Sequence, residues 1–494
     1  MSSAQRNPVT APYPESPTPS RKNKIETDIP QRLDRLPWSS WHVRILASLG
    51  TSWLLDGLEV TLVGSLSGIL ESKSGLRLTA AQVTGAATTY LAGAVLGALV
   101  FGYLTDRLGR RRLFLATLAT YSCATVASAF SQGLFTFSIF RFFTGFGIGG
   151  EYAAINSAVD ELIPGKVRGT VDLVVNGTFW LGATAGSLAA MFLLAGYLPQ
   201  NTGWRYAFGI GGSLGLGVLV LRLFVPESPR WLMLRGHEKQ AGRVVADIEQ
   251  RATHGNPGQL PLLSGDKLKI VVRDHTPLQE IFRNMTGENR ERSLLALVLM
   301  VGQAFFFNAV FFSYGLVVKR FFHVPNKALP MHLLPFALAS FLGPLTLGRL
   351  FDKIGRKPMI TACYAASGLL LVAMIFPFAH GWLGAWGTGA FLTVIFFIAS
   401  PAASAAYLTV SEIFPLELRA FAIAIFYASG TLLGGVGAPV LFGELIASNS
   451  RGMLAIGYGI AAFLMLLGAG FEHKIGIEAA GKSLESISKP LQSE

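Results

Sequence analysis

The sequence has few charged residues and few cysteines for its length. Charged residues make up 14% of the 494 residues, and the cysteines are Cys123 and Cys363. A typical soluble domain carries roughly 25% charged residues, so a soluble enzyme of this size would lack the charge to cover its surface. Two cysteines cannot form a disulfide scaffold. Hydrophobic residues account for 51% of the chain, which also excludes disorder over most of its length.

Motifs of several enzyme classes are missing as well. There is no Gly-x-x-x-x-Gly-Lys-Ser/Thr run for nucleotide phosphates, no metal-ligand spacing among the eight histidines, and no nucleophile elbow in a plausible setting. We therefore expect no cofactor and no metal, and we predict that the protein is not an enzyme. No apolar segment near the start suggests a cleavable signal peptide.

Long apolar segments dominate the chain instead. A helix needs about 20 mostly apolar residues to cross a membrane, and twelve segments meet that requirement. They lie near 43–70, 80–104, 112–131, 134–159, 168–196, 206–225, 293–318, 329–350, 358–380, 384–411, 419–446 and 452–472. The predicted fold class is an all-α integral membrane protein with twelve transmembrane helices in two pseudo-symmetric halves of six.

Two repeated motifs support an internal duplication. Asp106-Arg107-Leu108-Gly109-Arg110-Arg111 recurs 246 positions later as Asp352-Lys353-Ile354-Gly355-Arg356-Lys357, and Glu161-Leu162-Ile163-Pro164 recurs 251 positions later as Glu412-Ile413-Phe414-Pro415. The domain assignment is a disordered cytoplasmic tail (1–42), an N-terminal half (43–225), a cytoplasmic central loop (226–292), a C-terminal half (293–472) and a second cytoplasmic tail (473–494).

The basic residues indicate the orientation. The formal net charge is +12, and with a cytoplasmic N-terminus the inside segments hold 33 basic residues against 7 outside. Basic residues concentrate in cytoplasmic loops, so both termini are predicted to be cytoplasmic, in a multi-pass protein of the cytoplasmic membrane. The excess therefore reports topology and does not indicate a nucleic-acid partner.

The segment Gly102-Tyr103-Leu104-Thr105-Asp106-Arg107-Leu108-Gly109-Arg110-Arg111 resembles the loop signature of the major facilitator superfamily, over essentially residues 43–472. Pro226-Glu227-Ser228-Pro229-Arg230 is similar to a motif of its sugar-porter branch. The resemblance implies alternating access around a central site and a latch at the cytoplasmic face. The residues assigned to this gate are Asp106, Arg107, Gly109, Arg110, Glu161, Arg168, Asp352, Gly355, Arg356, Glu412 and Arg419. Topology anchoring alone is the alternative.

Ionisable residues inside predicted spans are costly and so are functional candidates. Asp56 and Glu59 share a face of the first span because they are three residues apart, and Arg141 lies in the fourth span. Counting 1.5 Å per residue predicts an Asp56–Arg141 pair that opens when a proton binds. The pairing resembles sugar–proton symporters, and Asp56-Gly57-Leu58-Glu59 is similar to a signature of aromatic-acid–proton symporters. A static ion pair is the alternative.

Polar and aromatic residues in the spans are candidates for substrate contacts. Gln303 and Asn308 match part of the sugar-porter pattern Gln-Gln-x-x-Gly-x-Asn, and Tyr407 stands where that branch has Trp. The full set is Asn176, Trp180, Gln303, Asn308, Tyr314 and Tyr407. Lone Asn and Gln residues also link helices, so a structural role is the alternative. The reduced number of hydroxyl-reading groups argues mildly against a plain hexose.

The predicted function is secondary active transport of a small organic metabolite (an organic or aromatic acid, or a sugar-like solute) by proton-coupled symport. A sugar porter, an uncoupled facilitator, drug efflux and a transporter-like sensor are the alternatives. The expected partners are the substrate, protons and the lipid bilayer, and the protein is expected to function as a monomer.

Overall fold

The computed structural model describes residues 24–72, 75–194, 200–223, 225–263, 267–273, 276–325 and 328–491. Twelve long helical segments fall within these ranges, one for each predicted span. In the N-terminal half they are α2 (Ser40–Glu71), α3 (Ala80–Leu108), α4 (Arg110–Ser128), α5 (Leu134–Leu162), α6 (Arg168–Leu194) and α7 (Gln200–Arg222). In the C-terminal half they are α11 (Arg290–Phe322), α12 (Leu329–Lys353), α13 (Arg356–Ala379), α14 (Ala385–Ile413), α15 with α16 (Arg419–Gly430 and Ala438–Ala447) and α17 (Arg451–Ile475).

Ten of these segments are long and apolar enough, by length and composition, to cross a membrane. Helices α4 and α5 are less apolar for a simple reason. Three arginines open α4, and α5 carries Arg141, Glu151, Asp160 and Glu161. All four charged side chains of α5 are buried inside the protein, so their neighbours in the bundle compensate for the low hydropathy.

Glycines allow the helices of the N-terminal half to approach closely. A Cβ added to Gly97 or Gly149 would collide with the backbone of the facing helix in the α3–α5 pair, and Gly57 and Gly182 hold the same position between α2 and α6. Small residues permit such backbone contact between membrane helices. The close packing fixes how deep each α5 and α6 side chain lies relative to α2 and α3.

The eleventh span is interrupted by a π-helical segment, Thr431–Gly437, between α15 and α16. The sequence predicts one continuous helix there. A Cβ on Gly434 would collide with the backbone of Ala304 and Phe305 in α11. The wider π turn therefore accompanies a close contact between the two helices, as such turns often do near functional sites.

The end of the bundle that carries residues 24–39, the described part of the central segment (226–292) and residues 476–491 is called the inner end below. Here β1 (Lys24–Thr27) pairs antiparallel with β2 (Leu268–Val271), and α1 (Ile29–Asp34) packs against α9 (Glu238–Ala252). The prediction of a disordered tail is therefore wrong for residues 24–42, while residues 1–23 of that tail lie outside the described residues. The strand was missed because its partner is more than 200 positions away.

Two arginines of the N-terminal segment fasten it to the central segment. Arg32 and Arg35 bind the two carboxylate oxygens of Glu249, with N–O distances of 2.6 and 2.7 Å. The remaining short elements of the inner end are α8 (Pro229–Leu234), a 3-10 turn (Pro257–Gln259), α10 (Leu278–Thr286) and α18 (Leu484–Ile487).

Candidate functional site

Asp56 lies near the middle of α2 and is buried. Its carboxylate accepts hydrogen bonds from the hydroxyl groups of Tyr90 in α3, at 3.1 Å, and Tyr152 in α5. No cationic side chain lies within ion-pair distance of it among the described residues. A carboxylate held only by neutral donors keeps its whole charge uncompensated in a low-dielectric interior, which is costly.

Arg141 pairs with Glu59 and not with Asp56, so the predicted Asp56–Arg141 pair is wrong. Glu59 also accepts a hydrogen bond from Thr125 at 3.1 Å, and the Arg141 guanidinium lies 4.6 Å above the Tyr90 ring. The prediction counted depth from the inner end of α2. Because α2 has 32 residues, about 48 Å at 1.5 Å per residue, it exceeds the membrane core, and that count placed Asp56 one turn too far out.

A second buried ion pair lies on the inner side of Asp56. Glu151 of α5 binds Arg222 of α7 at 2.7 Å, and Arg222 also donates to Ser52 of α2. Ser52, Asp56, Glu151 and Tyr152 all line one small cavity. Around the middle of α2, the carboxylates of Asp56, Glu59 and Glu151 and the guanidinium groups of Arg141 and Arg222 are therefore buried near one another, and Asp56 is the carboxylate of this group without a cation.

Aromatic rings connect Asp56 to the C-terminal half. The Tyr152 ring stacks on Tyr427 of α15, with centroids 4.6 Å apart, and lies 6.3 Å from Tyr407 of α14. Trp53, one turn before Asp56, contacts Tyr152 at 4.2 Å and Tyr407 at 5.9 Å. We call Trp53, Tyr152, Tyr407 and Tyr427 the central aromatic cluster. It joins the two halves next to the Asp56 carboxylate.

Trp180 forms a second aromatic contact between the halves. Its ring lies 5.2 Å from Phe307 and 5.0 Å from Phe311, both of α11, and 6.3 Å from Phe396 of α14. Trp180 therefore lies where the two halves meet, and the rings around it form a largely aromatic surface.

The polar candidates fall into two groups. Gln303 is buried near Tyr407, and Asn308, which is half-buried, donates to the carbonyl of Ala304 in its own helix at 2.7 Å. These two side chains share α11 with the Phe residues around Trp180. They are the polar part of the central region.

Asn176 and Tyr314 are held inside single halves. The Asn176 amide donates to Asn156 at 3.0 Å and to the Asp172 carboxylate at 3.2 Å, and the buried Tyr314 hydroxyl donates to the carbonyl of Ala385 at 3.0 Å. Both residues link helices within one half. Their contacts favour the structural alternative over a substrate contact.

At the inner end, each half caps a helix of the other. Asp106 accepts hydrogen bonds from the backbone N–H groups of Ala420 (3.3 Å) and Phe421 (2.9 Å) at the start of α15. Asp352 accepts from those of Gly169 (3.0 Å) and Thr170 (2.7 Å) at the start of α6. A carboxylate at a helix N-terminus satisfies unpaired N–H groups and the helix dipole.

Ion pairs also connect the two halves at the inner end. Within the halves, Arg110 binds Asp106 and Glu161, and Arg356 binds Asp352 and Glu412. Across them, Arg168 lies 3.5 Å from Glu412 and Arg419 lies 3.7 Å from Glu161. These eight residues, called the inner cluster, are all but excluded from solvent. The two halves are therefore in contact at this end.

Gly109 and Gly355 turn the chain between the helices that precede and follow them. Their φ angles are +100° and +124°, a region in which glycine is favoured. Glu227 and Glu478 cap the next helices by accepting from the N–H groups of Arg110 and Arg356, each at 2.8 Å. Burial raises the pKa of Glu227 despite these hydrogen bonds and the Arg110 charge. Arg107 is exposed and lies outside the inner cluster.

Sequence reasoning missed several residues of the central region: Trp53, Tyr90, Tyr152, Tyr427 and Arg222. Trp53 carried a usable signal, because it precedes Asp56 by three residues and so shares its helix face. The others make their contacts from different helices: Tyr90 and Tyr152 with Asp56, Arg222 with Glu151, and Tyr427 with Tyr152. Their spacing in the chain does not reveal these contacts.

The sequence model of the family described as "Sugar (and other) transporter" matches residues 60–491. The chain belongs to this family. It is 28% identical over 477 residues to the niacin transporter NiaP of Acinetobacter baylyi, covering 93% of this chain and 99% of that protein. It is 26% identical to the cis,cis-muconate transport protein of the same species, covering 87% of this chain and 94% of that protein.

Solved structures share the fold. The major facilitator superfamily proton:xylose symporter XylE, bound to 6-bromo-6-deoxy-D-glucose, superposes with a TM-score of 0.74 at 21% identity, covering 91% of this chain and 98% of that one. A partially occluded inward-open form of XylE from E. coli gives 0.64, covering 89% and 99%. The predicted fold of twelve helices in two halves is therefore confirmed.

Proposed function

We propose that the protein is a symporter that takes up a small organic acid with a flat, unsaturated ring or chain, together with protons. The observation that carries the proposal is the environment of Asp56. Among the three carboxylates buried around the middle of α2, Asp56 is the one without a cation, and its partner Tyr152 stacks on Tyr427 of the other half.

Protonation of Asp56 removes a charge that only hydroxyl groups stabilise. The Glu59–Arg141 and Glu151–Arg222 pairs are internally neutral, so Asp56 is the member of this group whose charge a proton would cancel. Because Tyr152 touches both Asp56 and the central aromatic cluster, a change of charge at Asp56 alters contacts between the halves. A symporter requires that link between proton binding and rearrangement.

The inner end is proposed to face the cytoplasm, in the cytoplasmic membrane, as the distribution of basic residues favours. The eight-residue inner cluster then closes the cytoplasmic side, and solute enters from outside. Rocking of the halves would separate Asp106 from α15 and Asp352 from α6 and open the inside. The binding unit is one chain, because each half supplies the partner groups of the other.

The aromatic surface around the centre supports the proposed solute class. Trp180, Phe307 and Phe311 offer ring contacts, while Gln303 and Asn308 offer amide groups for a carboxylate. Ligand pockets commonly combine a mostly apolar lining with a few polar groups. Niacin and muconate, the solutes in the names of two relatives, are both unsaturated acids.

A sugar-like solute is the second candidate. The Gln303–Tyr407 pair and Asn308 present amide and hydroxyl groups in one region, as a polyol requires. Relatives named as a myo-inositol transporter of Schizosaccharomyces pombe and a D-xylose transporter of Levilactobacillus brevis also match the chain.

The deciding experiment has two steps. Thermal unfolding of the purified protein is measured with nicotinate, benzoate, muconate, xylose and inositol, and stabilising solutes are then tested for uptake into proteoliposomes. We expect an acid to stabilise the protein and to accumulate only when the outside is more acidic. Accumulation that is independent of the pH gradient would rule out proton coupling. Stabilisation by xylose or inositol alone would rule out an organic acid as the solute.

A further inference from the structure

Two buried acids stand beside the inner cluster without belonging to its ion pairs. The cluster contains four carboxylates and four arginines, so its charges balance. Asp160 of α5 and Asp172 of α6 add two further carboxylates at the same end. Neither has a cation within 4 Å among the described residues, and both side chains have 0% exposure.

The Asp160 carboxylate is an unpartnered group. Neither of its oxygens has a hydrogen-bond partner in the described structure, and the same holds for Oδ1 of Asp172. The hydroxyl of Ser411 is the polar group that faces Asp160 from α14, and it too lacks a hydrogen bond of normal geometry. Buried polar groups are nearly always hydrogen-bonded, and a protonated Asp160 carboxyl would gain an O–H donor that its ionised form lacks.

The other charged groups around these acids already have partners. Arg168, Glu412 and Arg419 act on Asp160 from α6, α14 and α15, and Arg356 of α13 acts on Asp172. Each of the three arginines lies close to a cluster carboxylate: Arg168 and Arg356 to Glu412, and Arg419 to Glu161. Asp172 and Asp160 act on each other as like charges. The surplus negative charge therefore belongs to this acid pair.

The internal duplication shows that the pair is an addition to the cluster. The 251-residue offset that relates Glu161 to Glu412 relates Asp160 to Ser411 and Asp172 to Ile423. The C-terminal half thus has no carboxylate at either position. Each half supplies two carboxylates and two arginines to the inner cluster, whereas the two surplus carboxylates both come from the N-terminal half.

We propose that Asp160 and Asp172 form a second proton site, distinct from Asp56, which binds one cytoplasmic proton when the inner end closes and releases it when that end opens. In the closed state the pair is cut off from water, and one proton on either carboxylate removes the like-charge repulsion between them. In the open state water solvates both carboxylates, so the proton is no longer required.

The proton at this site comes from the cytoplasm and returns to it, so it does not enter the transport stoichiometry. Because the closed state holds one proton more than the open state, closure is favoured as cytoplasmic pH falls, by up to about tenfold in the closed-to-open ratio per pH unit. The site therefore restrains proton-coupled uptake when the cytoplasm is already acidic. This role rests on the proposed orientation and on symport through Asp56.

The test follows the distance between spin labels at Arg112 and Lys353, exposed positions at the inner ends of the two halves, in the full-length protein with Cys123 and Cys363 replaced by Ser. We expect the long-distance population to grow as pH rises in the parent protein. In Asp160→Asn, Asp172→Asn and the double variant, we expect the short distance to persist with at most a twofold change per pH unit.

Three further variants make the result decisive. Asp56→Asn should keep the pH dependence of this distance, which separates the second site from the proposed symport site. Asp247→Asn, at an exposed acid of α9, is the matched control and should behave like the parent. If Asp160→Asn does not fold, Asp160→Ser copies the residue of the other half. A pH dependence that survives in the double variant, or a pH-independent parent, overturns the proposal.

Discussion

Arg141 binds Glu59 and thereby leaves Asp56, one helical turn away on the same face of α2, with hydroxyl partners only. The two acids of one helix thus have different roles. Glu59 neutralises a buried arginine, and Asp56 is available for a proton. This division is the basis of the first two predictions.

Asp56→Asn should abolish proton-driven accumulation and spare exchange of labelled for unlabelled solute. The amide keeps the shape and the contacts with Tyr90 and Tyr152 but cannot take up a proton. Accumulation and exchange are compared in the same proteoliposomes, with Asp247→Asn as a control of equal chemistry at an exposed position. Undiminished accumulation by Asp56→Asn would show that the coupling site lies elsewhere.

Glu59→Gln should destabilise the protein by about 3–5 kcal/mol, because it leaves Arg141 buried without its counter-charge. The double variant Glu59→Gln/Arg141→Gln should be more stable than Glu59→Gln alone, since no charge remains unpaired. Unfolding in detergent measures both effects. Arg141→Gln is measured as the second single variant. If the double variant loses as much free energy of unfolding as the two single variants together, the side chains do not act as a pair.

Asp106→Ala and Asp352→Ala should each shift the inner end towards the open state. Loss of a helix cap costs about 1 kcal/mol, which is roughly fivefold in the closed-to-open ratio. Asp352→Ala should have the larger effect, because Asp352 also accepts a hydrogen bond from the Thr170 hydroxyl. Labels at the inner end report the ratio, and Thr170→Val isolates the hydroxyl contribution. Equal effects of the two Ala variants would contradict the assigned role of Thr170.

Gly355→Ala should lower stability by about 1–3 kcal/mol, because alanine is strained at a φ of +124°. The added Cβ would also meet the carboxylate of Glu478, which caps α13. Gly217→Ala in α7 is the control, since a Cβ there meets nothing within 4 Å. The thermal midpoint should fall for the first variant and stay level or rise for the second.

The attachment of the N-terminal segment should weaken in acid. Burial alone would raise the pKa of Glu249, but hydrogen bonds from Arg32 and Arg35 and their charges outweigh it, and the pKa lies below its ordinary value. A carboxyl with a lowered pKa in the folded state stabilises above its unfolded pKa and loses that contribution as pH falls through the folded value. Hydrogen exchange of β1, corrected for intrinsic rates, should therefore rise at acidic pH. Glu249→Gln should show weak protection at every pH.

The sequence was sufficient to predict all twelve long helices, because a span must be long and apolar and hydropathy records both properties. It was not sufficient for β1, whose hydrogen bonds reach residues 268–271, or for the π segment at Thr431–Gly437, which accompanies the contact with α11. Pairing between distant segments leaves no local periodicity to read.

The candidate site was predicted unevenly for similar reasons. The inner cluster was recognisable because its motifs occur twice in register, but the contacts that join the two halves there come from the structure. The predicted partner of Arg141 was wrong because the depth of Asp56 was counted in residues from an assumed membrane boundary of α2. An error in that boundary shifts every depth counted from it. Tyr152 and Tyr427 were missed because stacking between halves depends on how the halves meet.

The pairing of β1 with β2 brings together the two ends of the chain segment that contains the N-terminal half. Backbone hydrogen bonds join residue 27 to residue 268, and α2 to α7 lie on the chain between them. The two places where the chain enters and leaves this half are thereby clasped to each other, and Arg32 and Arg35 reinforce the clasp through Glu249. Because α1, α8 and α9 pack against one another and α9 packs against α2, we expect these three short helices to move with the N-terminal half.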